Sequence, residues 1–193
     1  MSRFEIVAAL LGVISVFWSA RQNVLAWPAS LLNNAMYFVF FLEHHLFALM
    51  ALQVFFGGIA VYGWYQWLFG GQARTELKVS RVPPWLGGVL ILTAGVGTLL
   101  LWLLLHHHTD DPDPLLDGFF FAVSLTAQWM MARKYFECWP VWILINCVSV
   151  PFFLLRGNYP TAGQYAVFLG LAVMGTRNWW KSMKQDSGLR IEG

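Results

Sequence analysis

Seven long runs of apolar residues, separated by short polar segments, set the pattern of this chain. They cover residues 4–20, 27–42, 46–69, 85–105, 115–131, 139–155 and 161–180. A hydrocarbon core of about 30 Å is spanned by about 20 helical residues, and the runs are close to that length. The second and sixth runs open with Trp-Pro, and proline fits the first turn of a helix. The pattern predicts an all-α integral membrane protein with seven transmembrane helices.

The composition agrees with this prediction. Hydrophobic residues make up 58% of the chain and charged residues 11%, whereas soluble domains carry about 25% charged residues. A transmembrane β-barrel would need alternating segments of about ten residues, and these runs are continuous. The lipid bilayer is the expected surrounding, and neither a nucleic-acid partner nor a cofactor is expected.

The second half of the chain repeats the first at an offset of 112 residues. Matching pairs include Trp27 with Trp139, Asn34 with Asn146, Gly63 with Gly175, and Trp67 with Trp179. Internal repeats in an apolar chain are typical of transporters, which bind substrate near the bilayer midplane between the repeats.

The basic residues fall mostly on one side of the predicted membrane. One side has Arg21, Arg74, Lys78, Arg81, Arg133, Lys134, Arg177, Lys181 and Lys184, and the other has Arg3 and Arg156. Because cytoplasmic loops carry the excess of lysine and arginine, this predicts an outer N-terminus and a cytoplasmic C-terminus.

Two three-helix repeats in the same orientation require an odd number of spans between them, so a 3+1+3 arrangement is predicted. The expected parts are a first repeat over 1–69, a cytoplasmic linker over 70–84, a linker transmembrane helix over 85–105, an outer loop over 106–114, a second repeat over 115–184 and a tail over 185–193 that ends in what looks like a protease-site remnant. The halves would be related by an axis along the membrane normal, as in the SWEET transporters.

Polar and aromatic side chains share one helical face in two of the spans. These residues are Trp27, Ser30, Asn34 and Tyr37 in the second span and Trp139, Trp142, Asn146 and Ser149 in the sixth. A buried amide is costly without a partner, so both asparagines are expected to face the interior, as helix–helix contacts or as substrate ligands. The residues around them differ between the two copies, and such asymmetry suits an asymmetric ligand.

Further polar side chains complete a predicted pocket. The amide of Gln128 needs a partner that its helix does not supply, whereas Thr126 is expected to bond to its own helix backbone. Aromatic faces with amides and few charges suit a planar ligand, including a cation. The predicted substrate-binding residues are Asn34, Tyr37, Gln53, Gln128, Trp142, Asn146 and Tyr165.

Side chains near the span ends allow two interpretations. Trp27 and Trp139 are assigned to a gate or to an interfacial aromatic belt. The belt is also predicted to include Trp64, Trp67, Trp85, Trp179 and Trp180. Glu5 and Asp117 are placed at the outer mouth, as cation-attracting or simply solvated residues. Three adjacent histidines at 106–108 cannot all face one ion, so no metal site is predicted.

Motifs of ATP hydrolysis and of enzyme catalysis are absent from the sequence. Asp, Glu, Lys and Arg are also absent from the central part of every predicted span, where proton-driven transporters normally carry ionisable groups. Downhill transport, without enzymatic activity, therefore fits best.

The segment from Gln128 to Asn146 resembles the signature of the PnuC family of bacterial nicotinamide riboside transporters, approximately Q-x4-RK-x2-E-x-W-x2-W-x3-N. The resemblance extends along nearly the whole chain. It implies facilitated diffusion of nicotinamide riboside across the bacterial inner membrane, with trapping by a cytoplasmic riboside kinase. It also implies that Gln128, Trp142 and Asn146 lie at or near the substrate. Glu137, in the same segment, is assigned to a gate or mouth.

Two other functions stay open at this point. A SWEET-like sugar facilitator would share the parallel repeats, and a membrane subunit that binds substrate for an ATP-driven vitamin transporter would share the apolar spans. Both a monomer and a homo-oligomer are compatible with the sequence.

Overall fold

The computed structural model describes residues 3–45, 47–109 and 112–188. Within these ranges the chain forms seven α-helices, as predicted. They are α1 (Arg3–Ala20), α2 (Ala26–Glu43), α3 (Phe47–Phe69), α4 (Pro84–His108), α5 (Pro114–Ala132), α6 (Cys138–Leu155) and α7 (Tyr159–Gly188).

Two helices extend at least three residues beyond their predicted C-terminal ends. The histidines at 106–108, predicted to belong to a loop, form the last turn of α4. α7 continues past residue 180 to Gly188. Within this extension Asp186 forms a 2.8 Å ion pair with Lys78 of the linker. This contact gives the polar last turns of α7 a partner that the hydrophobic pattern does not reveal.

The helix bounds and turns follow the 112-residue offset. α2 and α6 differ by 112 at both ends. Left-handed backbone occurs at Gln22 (φ 57°) and again at Lys134 (φ 51°), each in the turn before the helix with the Trp-Pro start. The 3+1+3 arrangement stays a prediction, and these equivalences support it.

The helix contacts show the same correspondence. α1 packs on α2 and α2 on α3, just as α5 packs on α6 and α6 on α7. Between the halves, α1 packs on α7 and α3 packs on α5. The first helix of each half therefore contacts the third helix of the other half.

α4 has no counterpart and packs closely on α5. A Cβ atom at Gly118 would lie 3.0 Å from the carbonyl oxygen of Thr98 and 3.1 Å from the amide nitrogen of Trp102, so the glycine permits the close approach. The rest of α4 is widely exposed, and Ile91 and Leu92 show 78% and 66% of their surface. Such an apolar outer surface suits contact with lipid.

By length and apolarity alone, three of the described helices can cross a membrane, namely α4, α5 and α6. α4 has the highest mean hydropathy of the three, at 2.3. The shorter apolar segment Ile6–Ala20 lies within α1.

Four tryptophans form a row through the core, and we call Trp27, Trp67, Trp179 and Trp139 the tryptophan row. Successive ring centroids lie 5.3, 5.9 and 5.4 Å apart, with edge-to-face geometry. The indole N–H of Trp67 donates to the carbonyl of Met131 at 3.1 Å, and that of Trp179 donates to the carbonyl of Ser19 at 3.0 Å. The two bonds are related by the 112-residue offset and connect the halves in both directions.

The prediction that Trp67 and Trp179 belong to an interfacial belt is wrong. Both are buried, with 2% and 0% of their surface exposed. Their indole N–H groups donate to backbone carbonyls of the other half, so burial leaves neither nitrogen unpaired. Trp64 and Trp85, by contrast, are exposed, as the belt prediction requires.

Candidate functional site

The two asparagines predicted to face the interior are buried, which confirms their placement. Asn146 on α6 donates from Nδ2 to the carbonyl oxygen of Trp142 at 2.7 Å. The Nδ2 atom of Asn34 on α2 is buried and has no hydrogen-bond partner among the described residues. The neighbouring Asn33 makes the contact between helices, donating to Ala8 of α1 at 2.6 Å. Asn34 therefore does not use its amide N–H groups to join helices.

Trp142 and Gln128 are half-buried on α6 and α5. The indole nitrogen of Trp142 is buried without an acceptor in the described part of the chain. Gln128 forms no hydrogen bond within the same residues. Thr126 donates to the carbonyl of Ala122 at 2.9 Å, and this confirms its predicted bond to its own helix. The amide of Gln128 and the indole N–H of Trp142 thus remain available to a ligand.

Asn34 and Gln53 lie together along a groove between α2 and α3. The groove has a volume of about 330 Å³, and its other lining residues are apolar, among them Leu31, Phe38 and Val54. None of the other five predicted substrate-binding residues lines it.

Tyr37 and Tyr165 form a second group. Tyr37 stacks on Phe41 with centroids 5.7 Å apart, and Tyr165 stacks on Phe153 at 5.3 Å. The phenol of Tyr165 lies within electrostatic reach of Tyr37 and Asp117. The structure therefore brings Tyr165 towards Tyr37, which lies one helical turn from Asn34.

Trp27 and Trp139 form the two ends of the tryptophan row and are buried. Their surfaces are 2% and 0% exposed, which excludes the interfacial-belt interpretation because belt residues face the lipid headgroups. Their role as gate residues stays a prediction. Both indole nitrogens are buried with no acceptor among the described residues.

Four buried N–H donors thus lack a protein acceptor within the described ranges, namely Trp27 Nε1, Trp139 Nε1, Trp142 Nε1 and Asn34 Nδ2. An unpaired buried donor costs about 1–3 kcal/mol, and native structures contain few of them. All four lie on α2 and α6, the helices with the predicted polar face. A ligand that supplies hydrogen-bond acceptors would satisfy such donors.

Glu137 anchors the linker, a role that the sequence analysis missed. We call residues 77–82 the linker strap. Its Val82 N–H donates to Glu137 Oε2 at 2.9 Å. Its Ser80 donates from N–H to the carbonyl of Lys134 at 3.1 Å and accepts from the N–H of Phe136 at 2.9 Å. The strap therefore pairs with the turn between α5 and α6.

Lys134 is buried beneath this strap, which the sequence analysis also missed. Its Nζ lies 4.6 Å from the ring centroid of Trp67. Burial lowers the pKa of Lys134 to about 8, while Glu76 and Asp186 oppose the shift electrostatically. The Arg-Lys pair of the signature could have indicated this turn, but no local signal reveals that one member is buried.

The residues predicted at the outer mouth are only partly described. Asp117 is exposed near the start of α5, and the side chain of Glu5 lies outside the described part of the structure. Asp113 and Arg156, both predicted on the outer side, form an ion pair. Among the described residues no group of three His, Cys, Asp or Glu side chains could hold a metal ion.

Comparison with known proteins places this arrangement in a family. The family described as nicotinamide mononucleotide transporter matches residues 2–181. The riboflavin/roseoflavin transporter RibM of Streptomyces davaonensis is 31% identical, over 98% of this chain and 90% of its own length. The nicotinamide riboside transporter PnuC of Escherichia coli is 26% identical, over 96% of this chain and 88% of its own length.

The fold has a solved counterpart as well. The crystal structure of the vitamin B3 transporter PnuC matches with a TM-score of 0.73 and 25% identity, covering 93% of this chain and 81% of that chain. These relatives are transporters, which confirms the PnuC resemblance and the prediction that the chain is not an enzyme. The chain belongs to the nicotinamide mononucleotide transporter family, as a multi-pass membrane protein with seven helices in its described part.

Proposed function

We propose that this protein is a uniporter that imports nicotinamide riboside across the bacterial inner membrane. The observation that carries the proposal is the group of buried N–H donors on α2 and α6 without protein acceptors. The ribose hydroxyls and the carboxamide of nicotinamide riboside offer oxygen acceptors to such donors. Its pyridinium cation suits aromatic faces, through cation–π contact.

The proposed site gives each polar side chain a role. Asn34 and Trp142 donate hydrogen bonds to substrate oxygens, while the amide oxygens of Gln128 and Asn146 accept from the ribose hydroxyls. Gln53 on α3, Tyr37 on α2 and Tyr165 on α7 border the site. In this proposal Trp27 and Trp139 close the passage when their rings occupy the tryptophan row.

In this proposal transport is uncoupled from protons, and its inward direction is set by consumption of the substrate in the cytoplasm. The central parts of the predicted spans contain no Asp, Glu, Lys or Arg, so no group is available there to couple transport to protons. In the proposed orientation the N-terminus is periplasmic and the C-terminus cytoplasmic. A cytoplasmic riboside kinase then phosphorylates the substrate, which maintains the inward gradient.

The proposal is tested by flux into proteoliposomes that contain the purified protein. Labelled nicotinamide riboside should reach equal concentrations inside and outside without ATP or an ion gradient. Protein-free liposomes provide the background rate. Accumulation above equilibrium, or uptake that requires a proton gradient, would contradict the uniporter mechanism.

The site is tested by two variants that remove buried donors. Trp142→Phe removes the indole N–H and keeps most of the ring, and Asn34→Leu replaces the amide with an apolar group of similar size. Each should weaken nicotinamide riboside binding about 2- to 10-fold, the effect of losing one hydrogen bond. Neither should lower Tm, because each removes a donor that is unpaired in the free protein.

Exposed Trp85 supplies the matched control, since Trp85→Phe makes the same chemical change on α4, a helix that contributes no residue to the proposed site. Binding is measured by isothermal titration calorimetry and Tm by thermal unfolding in detergent. Unchanged Kd values in both site variants would refute the assignment of the site to α2 and α6.

Riboflavin is a second candidate substrate, because RibM is 31% identical to this chain whereas the Escherichia coli PnuC is 26% identical. Competition in the same proteoliposomes distinguishes the two. Excess riboflavin that abolishes nicotinamide riboside uptake, together with uptake of labelled riboflavin itself, would favour the second candidate. The sugar-facilitator and ATP-driven alternatives find no support in the named relatives.

A further inference from the structure

A basic cavity lies apart from the proposed substrate site, between the linker strap and the last turns of α7. Its volume is about 430 Å³. The residues that line it are Lys78, Val79, Ser80, Arg81, Met183, Lys184 and Asp186. Three of these side chains are cationic and one is anionic.

The anionic side chain is already paired. Asp186 forms the 2.8 Å ion pair with Lys78 that was described above. Arg81 and Lys184 have no carboxylate partner among the described residues, and both contact the ring of Trp180, with centroid distances of 5.1 and 5.3 Å. An anion bound beside these two cations would offset the repulsion between them.

The hydroxyl of Ser80 adds a neutral donor. It lines the cavity and forms no hydrogen bond within the described part of the chain. A guanidinium, an ammonium and a hydroxyl together match the oxygens of a phosphate group.

The position of the cavity indicates where such a phosphate would come from. The strap lies between the end of α3 at Phe69 and the start of α4 at Pro84, where the sequence predicts that the chain passes from one membrane span to the next. Exposed Trp85 lies at the same level, as residues at the membrane–water interface do. Basic cavities at this depth contact anionic lipid headgroups.

We propose that this cavity binds a phosphate group, supplied by the headgroup of an anionic phospholipid. Arg81 and Lys184 pair with the phosphate oxygens and Ser80 donates to one of them. Because the strap and α7 both contribute residues, a bound lipid links the cytoplasmic linker to the second half of the molecule.

The test compares two double variants with equal loss of charge. Arg81→Gln/Lys184→Gln alters the cavity, whereas Arg74→Gln/Lys181→Gln removes one arginine of the linker region and one lysine of α7 that do not line it. Short-chain phosphatidylglycerol is titrated into each protein in neutral detergent, and its apparent Kd is taken from the rise in Tm. Phosphatidylcholine and inorganic phosphate are titrated in parallel.

The cavity variant should bind phosphatidylglycerol about 30-fold more weakly than the native protein, from about 1 kcal/mol per basic residue. The control variant should bind it with less than a threefold change. Inorganic phosphate is the second probe. If it raises Tm with the same dependence on Arg81 and Lys184, and phosphatidylglycerol raises Tm no further, the cavity binds free phosphate and the assignment to a lipid headgroup is refuted. Equal losses in both double variants would overturn the proposal, since the effect would then be one of net charge.

Discussion

Gly63 and Gly175 lie so close to the rings of Trp27 and Trp139 that a Cβ atom on either glycine would overlap the indole. The two contacts are equivalent in the repeat, because the two glycines are 112 residues apart and so are the two tryptophans. Each glycine allows a helix of the same half to approach the end of the tryptophan row. Stability should therefore depend on the absence of a single methyl group at these two positions.

We expect Gly63→Ala and Gly175→Ala each to lower the free energy of unfolding by about 1–3 kcal/mol, the usual cost of overpacking a core. Gly58→Ala and Gly170→Ala are the matched controls, because they lie on the same helices with nothing within 4 Å of the added carbon. The controls should gain up to about 1 kcal/mol from helix propensity. Thermal unfolding in detergent measures all four variants, and equal effects in the two pairs would contradict the packing argument.

Lys134 makes the stability depend on pH. Its pKa is about 8 in the folded protein, against 10.5 for an ordinary lysine. Between these values the unfolded chain binds more protons, so stability should increase as the pH rises from about 8 to 10.5 and decrease as it falls back through 8.

The variant Lys134→Met should lose this slope, whereas Lys181→Met, at an exposed position, should keep it. Tm is recorded from pH 7 to 11 in one detergent. A slope that persists in Lys134→Met would assign the pH dependence to another group.

At the scale of elements, the linker strap connects parts of the chain that are far apart in sequence. Leu77 donates to the carbonyl of Trp67 at the end of α3, Val82 donates to Glu137, and Lys78 pairs with Asp186 of α7. The strap thus joins the first half to two elements of the second half. If the two halves move relative to each other, these contacts must either break or move together with the strap.

We expect Glu137→Ala to release the strap, because the Val82 N–H loses its acceptor, whereas Glu137→Gln keeps an acceptor oxygen. Trypsin should then cleave after Lys78 and Arg81 several-fold faster in the alanine variant. Cleavage is followed by mass spectrometry under native conditions. Similar rates in the alanine and glutamine variants would mean that the Glu137 contact does not hold the strap.

The helices were predictable from sequence because lipid requires long apolar segments, and the asparagines because an unpaired amide is costly in that setting. Trp67 and Trp179 were misassigned, since an interfacial and a buried tryptophan can occupy the same place in a hydrophobic pattern. Glu137 was placed at a gate or mouth without its partner, because that partner is a backbone amide 55 residues away, which has no side-chain signature. Contacts of this kind depend on the tertiary arrangement.

At the scale of the whole molecule, the contacts between the halves are reciprocal. α1 packs on α7, and the equivalent pair α5 and α3 packs in the same way. The indole bond of Trp67 runs from the first half to the second, and that of Trp179 runs from the second half to the first. Each half therefore has its third helix packed on the first helix of the other. Neither half contains both members of these contacts.

In a dimer of identical subunits related by a twofold axis, residue i of the first subunit contacts residue j of the second, and residue j of the first contacts residue i of the second. The contacts between the two halves of this chain follow the same rule. A protein of half this length with the same residues would complete its core by associating with a second copy. The crossed indole bonds of Trp67 and Trp179 are thus contacts of the kind that a twofold homodimer of half-length chains would make. In the predicted 3+1+3 arrangement, α4 returns the chain to the side of the membrane from which the second three-helix repeat begins.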